Sequence, residues 1–554
     1  MLSRRDFIGQ SAVLALAGPA LAAERGLDVA LVNAKLWTGE GNGPVLSAVG
    51  IAGDRIAAVG AAAVKARSTR ATRVVDLQGA FLMPAFTDNH THFLKGARQI
   101  SQPVLLDSKD RADFAARLGA AARARPGRWI LGGAWDEQRL GGVLPTREWI
   151  DAATGDTPVA VPRTDLHMYL LNSAAMRAAG ITRDTPDPAG GVIGRDANGE
   201  PNGIFKDNAN LLWQRAVPVA SDAENEEALR AGIALAHRNG FAQVHIPEIE
   251  WETHGSLKRL RAKGEPGLRF YSFVPIQDWE KMAAIVRSEG RGDDWLRWGG
   301  VKGLADGSLG SRTALFWEPY TDAPGQHGVR VISQEDLRGY ILGADKAGLH
   351  VACHAIGDEA NDDVLDIMAE TVRINGPRDR RFRIEHAQHC RPATIPRFAK
   401  QKVIASVQPY HAIDDGRWAV QRIGQKRLNG TYAFKSFFDA GATVTFGSDY
   451  PVGPLDALQG IYAALTRETI DGANPKGWLP DQKVTLLQAL HAYTRANAYA
   501  GFQEDRLGLV RPGFLADLTV LDADLFATRP DDIARVKVLR TIVGGRERFG
   551  PDAG

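Results

Sequence analysis

Only two cysteines, Cys353 and Cys390, occur in 554 residues. Each adjoins a histidine in an apolar run, which predicts two buried thiols and no disulfide framework. Charge of one sign is also lacking: Lys+Arg 67 against Asp+Glu 65 leaves a formal net charge of +2. No Lys/Arg block forms the electrostatic footprint of a nucleic-acid binder, so nucleic acid is a poor partner. No apolar stretch is long enough to span a bilayer comfortably, and the mature protein is expected to have no membrane span. At 44% hydrophobic and 24% charged, the composition is neither disordered nor fibrous, and the length allows a large core plus a smaller second domain.

What is present begins at the N-terminus. Ser3-Arg4-Arg5-Asp6-Phe7-Ile8 precedes the small and apolar run Ser11 to Leu16, and Ala20-Leu21-Ala22 follows. Paired arginines, an apolar stretch and an A-x-A site in that order predict a twin-arginine export signal over residues 1–23. The mature chain is then expected to start near Ala23 and to be periplasmic or secreted. That route carries folded proteins, often loaded with a cofactor first, which favours a metal site.

After the signal, Val29 to Asn33, Val49 to Ile51, Arg55 to Val59 and Arg73 to Asp76 are short β-type runs between Gly, Asn and Asp turns. The texture returns at Leu518 to Leu521, Val536 to Leu539 and Thr541 to Val543, with a turn at Gly544-Gly545. Each end alone would leave a half-apolar sheet uncovered, so residues 24–82 and 505–550 are expected to pack as one composite β-sandwich domain.

Between the ends, β-type runs alternate with Ala/Leu/Arg-rich helical patterns. The runs are Val244 to Ile246, Arg269 to Phe273, Gly300 to Leu304, His350 to Cys353, Arg383 to Glu385, Ile404 to Val407 and Thr443 to Phe446. The alternation predicts an α/β fold with a parallel sheet wrapped in helices, as a closed barrel or a doubly wound open sheet. Residues 93–219 are less regular, rich in Gly, Pro, Arg and Trp, and read as a long insertion after the first strand of a barrel over 83–504.

The sharpest local signal is Met83-Pro84-Ala85-Phe86-Thr87-Asp88-Asn89-His90-Thr91-His92, an apolar run ending in two histidines. Residues two apart on a strand point the same way, so both imidazoles can reach one cation. His354, His386 and Asp449 each follow a further β-type run. In a barrel such strand ends converge on one face.

In this pattern the chain resembles the amidohydrolase superfamily, with His-x-His on the first strand, lysine on the fourth, histidines on the fifth and sixth, and aspartate on the eighth. Val301-Lys302-Gly303-Leu304-Ala305-Asp306-Gly307-Ser308-Leu309-Gly310-Ser311-Arg312, His354-Ala355-Ile356-Gly357-Asp358, Glu385-His386, Gln408-Pro409 and Gly447-Ser448-Asp449-Tyr450-Pro451 resemble the branch that contains N-substituted formamide deformylases. The resemblance implies a (β/α)8 TIM barrel with one or two divalent metal ions, zinc first. It implies His90, His92 and Asp449 around the more buried metal, and His354 and His386 around the second. Lys302 would bridge the two as a carbamate, because an ammonium cannot ligate a cation; the bland alternative pairs Lys302 with Asp306 at a one-metal site.

A cation held by neutral imidazoles and a carboxylate lowers the pKa of its water from 15.7 toward about 7, which provides a nucleophile at ordinary pH. Asp449 is then the expected proton shuttle. His167 and His411 are candidate hydrogen-bond partners of the substrate carbonyl, and Arg312 a candidate anchor for an acidic substrate or, equally, half of a structural ion pair. The expected activity is hydrolysis of a carbon–nitrogen bond in a small-molecule substrate, a linear amide or an N-acyl or N-formyl group. An esterase, lactonase or carbamate hydrolase is the alternative on the same site, and a non-catalytic binding protein on the same barrel the alternative from another class. A homo-oligomer is compatible with the sequence.

Overall fold

The computed structural model describes residues 26–553, apart from 101, 136, 164–167, 189, 190, 208, 249, 266 and 311. The export-signal segment therefore lies outside the described residues. Two compact units are present, 94–232 and the remainder.

The larger unit holds eight parallel strands in sequential order: β1 (Phe86–Asp88), β2 (Phe241–Ile246), β3 (Arg269–Pro275), β4 (Leu296–Leu304), β5 (His350–Ala355), β6 (Arg383–His386), β7 (Ile404–Val407) and β8 (Val444–Phe446). Parallel order with intervening helices is the barrel solution, and the first and last strands meet. Asn89 N–H donates to Phe446 O at 3.3 Å, Asp449 N–H to His90 O at 2.7 Å and His92 N–H to Tyr450 O at 2.7 Å. The Asn497 side chain staples the seam, donating to Thr87 O at 2.6 Å and Phe446 O at 2.9 Å. At Gly447 the backbones approach so closely that a Cβ would lie 2.6 Å from His90 N and 2.8 Å from Asp88 Oδ1.

Inward-facing positions are polar. Arg383 donates to Glu385, His245, Asn89 O and Ser406, and Asn89 to Ser406 and Thr445. Alternation on the strands leaves Val244, Val351 and Ile384 buried on the other side. β4 begins four residues earlier than the sequence pattern predicts. Gly299-Gly300 looks like punctuation, but a Cβ at Gly300 would lie 2.3 Å from the Phe273 ring. The glycine lets two strands pass, and the register shifts there.

The chain ends share a five-stranded sheet. Phe81–Pro84 pairs antiparallel with Leu518–Leu521, which pairs with Val538–Val543. The expected strands Val536 to Leu539 and Thr541 to Val543 are thus one, which turns at Gly544-Gly545 into Arg546–Phe549. A second, four-stranded sheet is wholly N-terminal, and a single apolar cluster joins its Leu31, Val49 and Ile56 to Leu82, Leu518, Val520 and Ile542 of the first. Each such side chain contributes about 1.5–3 kcal/mol relative to exposure.

The unit 94–232, predicted as an irregular insertion over 93–219, has an antiparallel sheet of its own from Ala160–Pro162, Met168–Leu171, Gly191–Arg195 and Pro201–Asp207. Trp135 lies in its core, with Nε1 donating to Val161 O. Cys353 and Cys390 are free and buried, as the sequence predicts. Among the described residues no helix is long and apolar enough to cross a membrane.

Candidate metal centre and active site

β1 runs directly into His90 and His92, and Asp88 fixes the exit. Its carboxylate accepts from the backbone N–H of His90 and of Ser448, each at 3.0 Å, and so ties the two strands at the seam. Burial raises the Asp88 carboxyl to about 7, against the pull of these donors.

His90 is fully buried, and its Nδ1 meets Glu385 Oε2 at 2.6 Å. A carboxylate only accepts, so Nδ1 carries the proton and the Nε2 lone pair faces the site. His92 repeats this through Nδ1 and Glu248 Oε2 at 3.1 Å. Both Nε2 atoms converge on Asp449 Oδ1, at 3.5 Å from His90 and 3.4 Å from His92. His90 Nε2 and Asp449 Oδ1 are buried without a hydrogen-bond partner among the described residues. Ligands about 2.0–2.2 Å from a tetrahedral ion sit roughly 3.3–3.6 Å apart, so this trio has the spacing of a cation site. Two buried and otherwise unsatisfied ligand atoms, with the half-buried His92 Nε2 beside them, fit a divalent metal.

A second group shares Asp449 and adds His386 and His411. His386 Nδ1 donates to Gln408 Oε1 at 2.9 Å. Gln388 Nε2 donates to His411 Nδ1 at 3.3 Å, which leaves the proton of His411 on Nε2, 3.7 Å from Asp449 Oδ2. His354 lies against His386, ring centroids 4.5 Å apart, but its Nε2 is turned to Gly307 O at 3.0 Å and Asp306 Oδ1 at 3.3 Å. His411 therefore joins His386 in the group that shares Asp449, whereas the resemblance pairs His386 with His354.

Burial lowers His90 and His386 well below the ordinary histidine range, and Lys302 and the other nearby cations add to it. For His92 burial works the same way, but the hydrogen bond it donates to Glu248 and the Asp449 and Glu248 charges outweigh it and raise the group. Burial likewise lowers Lys302, which is 2% exposed, against the opposing charges of Glu385 and Asp449. The alternative pairing of Lys302 with Asp306 is not formed. Asp306 instead accepts the N–H groups of Leu315, Ile356 and Gly357 and fixes the loops after β4 and β5.

Of the proposed substrate contacts, His411 is at the centre and His167 lies outside the described residues. Arg312, in the left-handed region at φ 59, is engaged by Asp322 through Nε at 3.1 Å and Nη2 at 2.9 Å. That is a structural ion pair with a loop carboxylate. Sequence reasoning quoted Glu385 and Gln408 within motifs without giving them a role, and missed Glu248 and Gln388; all four orient the imidazoles. Glu248 is signalled only by following β2.

The model of the Amidohydrolase family matches residues 73–549. Protein LONG AFTER FAR-RED 3 of Arabidopsis thaliana is 35% identical over 536 residues, covering 94% of this chain and 91% of that protein. Putative amidohydrolase YtcJ of Bacillus subtilis is 33% identical over 489 residues, 86% of this chain and 90% of that protein. The N-substituted formamide deformylase of Arthrobacter pascens is 27% identical over 562 residues, 94% of this chain and 98% of that protein. Among solved structures, an uncharacterized metal-dependent hydrolase from Pyrococcus horikoshii superposes with a TM-score of 0.77 at 28% identity, covering 91% of this chain and 99% of that one.

Proposed function

The chain belongs to the amidohydrolase family, and from that premise we propose that it hydrolyses a carbon–nitrogen bond of a small molecule, a linear amide or an N-acyl or N-formyl group. The observation that carries the reading is the convergence of His90 Nε2 and His92 Nε2 on Asp449 Oδ1, with His90 and Asp449 buried and His92 half-buried. A divalent cation held there, zinc first, supplies Lewis acidity, which acidifies water and polarises a carbonyl.

The chain's own residues do the rest. Glu385 and Glu248 keep the two imidazoles in the tautomer that presents Nε2. Asp449 Oδ2 accepts the proton of the attacking water and returns it to the departing nitrogen. His411, whose Nε2–H is fixed by Gln388, donates to the substrate carbonyl oxygen as negative charge develops on it. Lys302, inside β4 and unpaired with Asp306, is the residue to take up carbon dioxide as a carbamate and, with His354 and His386, hold a second cation. The paired arginines and A-x-A site near the N-terminus support export to the periplasm. The two end sheets, joined by one apolar cluster, serve as a composite β-sandwich.

The test is a panel of N-formyl, N-acyl and matched ester compounds, assayed on the metal-loaded mature protein with metal content measured beside Lys302→Ala. Amide hydrolysis that disappears on chelation, with more than one metal equivalent in the parent and at most one in the variant, is the expected result. Ester turnover alone would overturn the carbon–nitrogen assignment, and equal metal content in both proteins would remove Lys302 from the site.

A further inference from the structure

The helix Pro409–Asp415 starts two residues after β7, with His411 in its first turn and Asp415 as its last residue. A spacing of four puts both on one face, so Asp415 lies one turn, roughly 6 Å, further from the strand end than His411. His411 Nε2 is itself 3.7 Å from Asp449 Oδ2. Asp415 therefore follows His411 along the helix face that His411 turns toward Asp449.

Asp415 is partly exposed and thus within reach of a ligand. The one hydrogen bond to its carboxylate among the described residues comes from Tyr432 Oη to Oδ2 at 2.6 Å. No cation answers it. Arg417 is taken by Asp414, and Arg467, which also touches Tyr432, donates to the backbone oxygens of Tyr432 and Trp478. Tyr432 is buried, and its phenol is raised by burial, then by the charge of Asp415 and the hydrogen bond to it. Burial also holds the Asp415 carboxyl up at about 6, against its Tyr432 hydrogen bond. A carboxylate desolvated to this degree without a counter-charge is costly, and a bound cation would offset the cost.

Resting on the amidase reading above, we propose that Asp415 is a specificity-determining residue that accepts an ammonium group of the substrate through Oδ1. The preferred substrates are then N-acyl compounds bearing a positive charge a few bonds from the scissile amide. An ammonium offers three donors, and charge-assisted hydrogen bonds are the strong ones.

Three compounds of similar size test this on the metal-loaded full chain: cationic N-acetylethylenediamine, neutral N-propylacetamide and anionic N-acetyl-β-alanine. The parent should favour the cation over the neutral compound at least about tenfold in kcat/KM, mostly through KM. Asp415→Asn should bring that ratio within about threefold, Asp415→Glu should retain most of it, and Tyr432→Phe should keep it. Independently of turnover, calorimetry should find propylammonium binding at least about tenfold tighter than propionate to the parent, and not to Asp415→Asn. A parent without cation preference, or an Asp415→Asn protein that keeps it, overturns the assignment while neutral-amide turnover leaves the amidase reading intact. Selective propylammonium binding with no hydrolysis of any of the three overturns the amidase reading and supports the carboxylate's role.

Discussion

Asp449 divides its work between two oxygens: Oδ1 meets the imidazoles of His90 and His92, and Oδ2 faces His411. Asparagine keeps one oxygen for a cation but cannot accept a proton. Asp449→Asn, with metal content confirmed, should therefore lower kcat by at least about a hundredfold and change KM little. Turnover within tenfold of the parent would move the proton shuttle to another residue. Glu385 acts through His90. It is held ionised inside the barrel because the Arg383 charge, with hydrogen bonds from Ser406 and Arg383, opposes a burial penalty that by itself would raise it. In Glu385→Gln the neutral amide no longer fixes the His90 tautomer, and metal affinity should fall about 10–100-fold in a chelator competition. Unchanged affinity would mean that His90 is positioned by its strand alone.

At the scale of elements, the ligands are only as well placed as the seam between β1 and β8. The loop leaving β8 crosses the backbone of His90 at Gly447, where no Cβ has room. Gly447→Ala should push the loop that carries Asp449 away from the His90-x-His92 segment. The expected cost is about 1–3 kcal/mol, the range for overpacking, together with a lower metal content of the purified protein. Thermal denaturation and elemental analysis read the two effects. A variant as stable and as metal-rich as the parent would show that the seam yields without moving the ligands.

At the scale of the molecule, several histidines far from chemistry are buried as neutral groups. His237, bonded to Gly267 O, and His254, beside Ser272, are each lowered from 6.5 to about 4, mainly by burial. The unfolded chain protonates them below about 6.5, the folded chain only near 4. Stability present above pH 6.5 is therefore lost as pH falls through that window, by about 3 kcal/mol for each. Asp88, held up at about 7, works in the opposite sense and offsets part of the loss. Urea midpoints measured from pH 7 to 4 should fall, and His237→Gln should flatten the slope by up to one proton. An unchanged slope in the variant would mean that His237 does not stay neutral in the fold.

The sequence by itself determined the class of fold and singled out the histidines and the aspartate that the structure brings together, because strand ends carry their signal locally. A His-x-His after an apolar run, and an aspartate after Gly-Ser, are legible wherever a period of two meets a turn. It also placed the β-rich ends together, since a half-apolar sheet at each end needs a cover, and Phe81–Pro84 does pair with Leu518–Leu521. Only the tertiary structure decided which groups stand behind the ligands. Glu385 and Glu248 serve His90 and His92 from 295 and 156 residues away, and no local spacing encodes such a partnership. The same holds for His411, brought to Asp449 by a short helix after β7, and for Arg312, whose Asp322 partner sits on a loop. Those assignments depend on where the loops at the barrel's rim come to rest, and loop placement follows from packing that periodicity does not record.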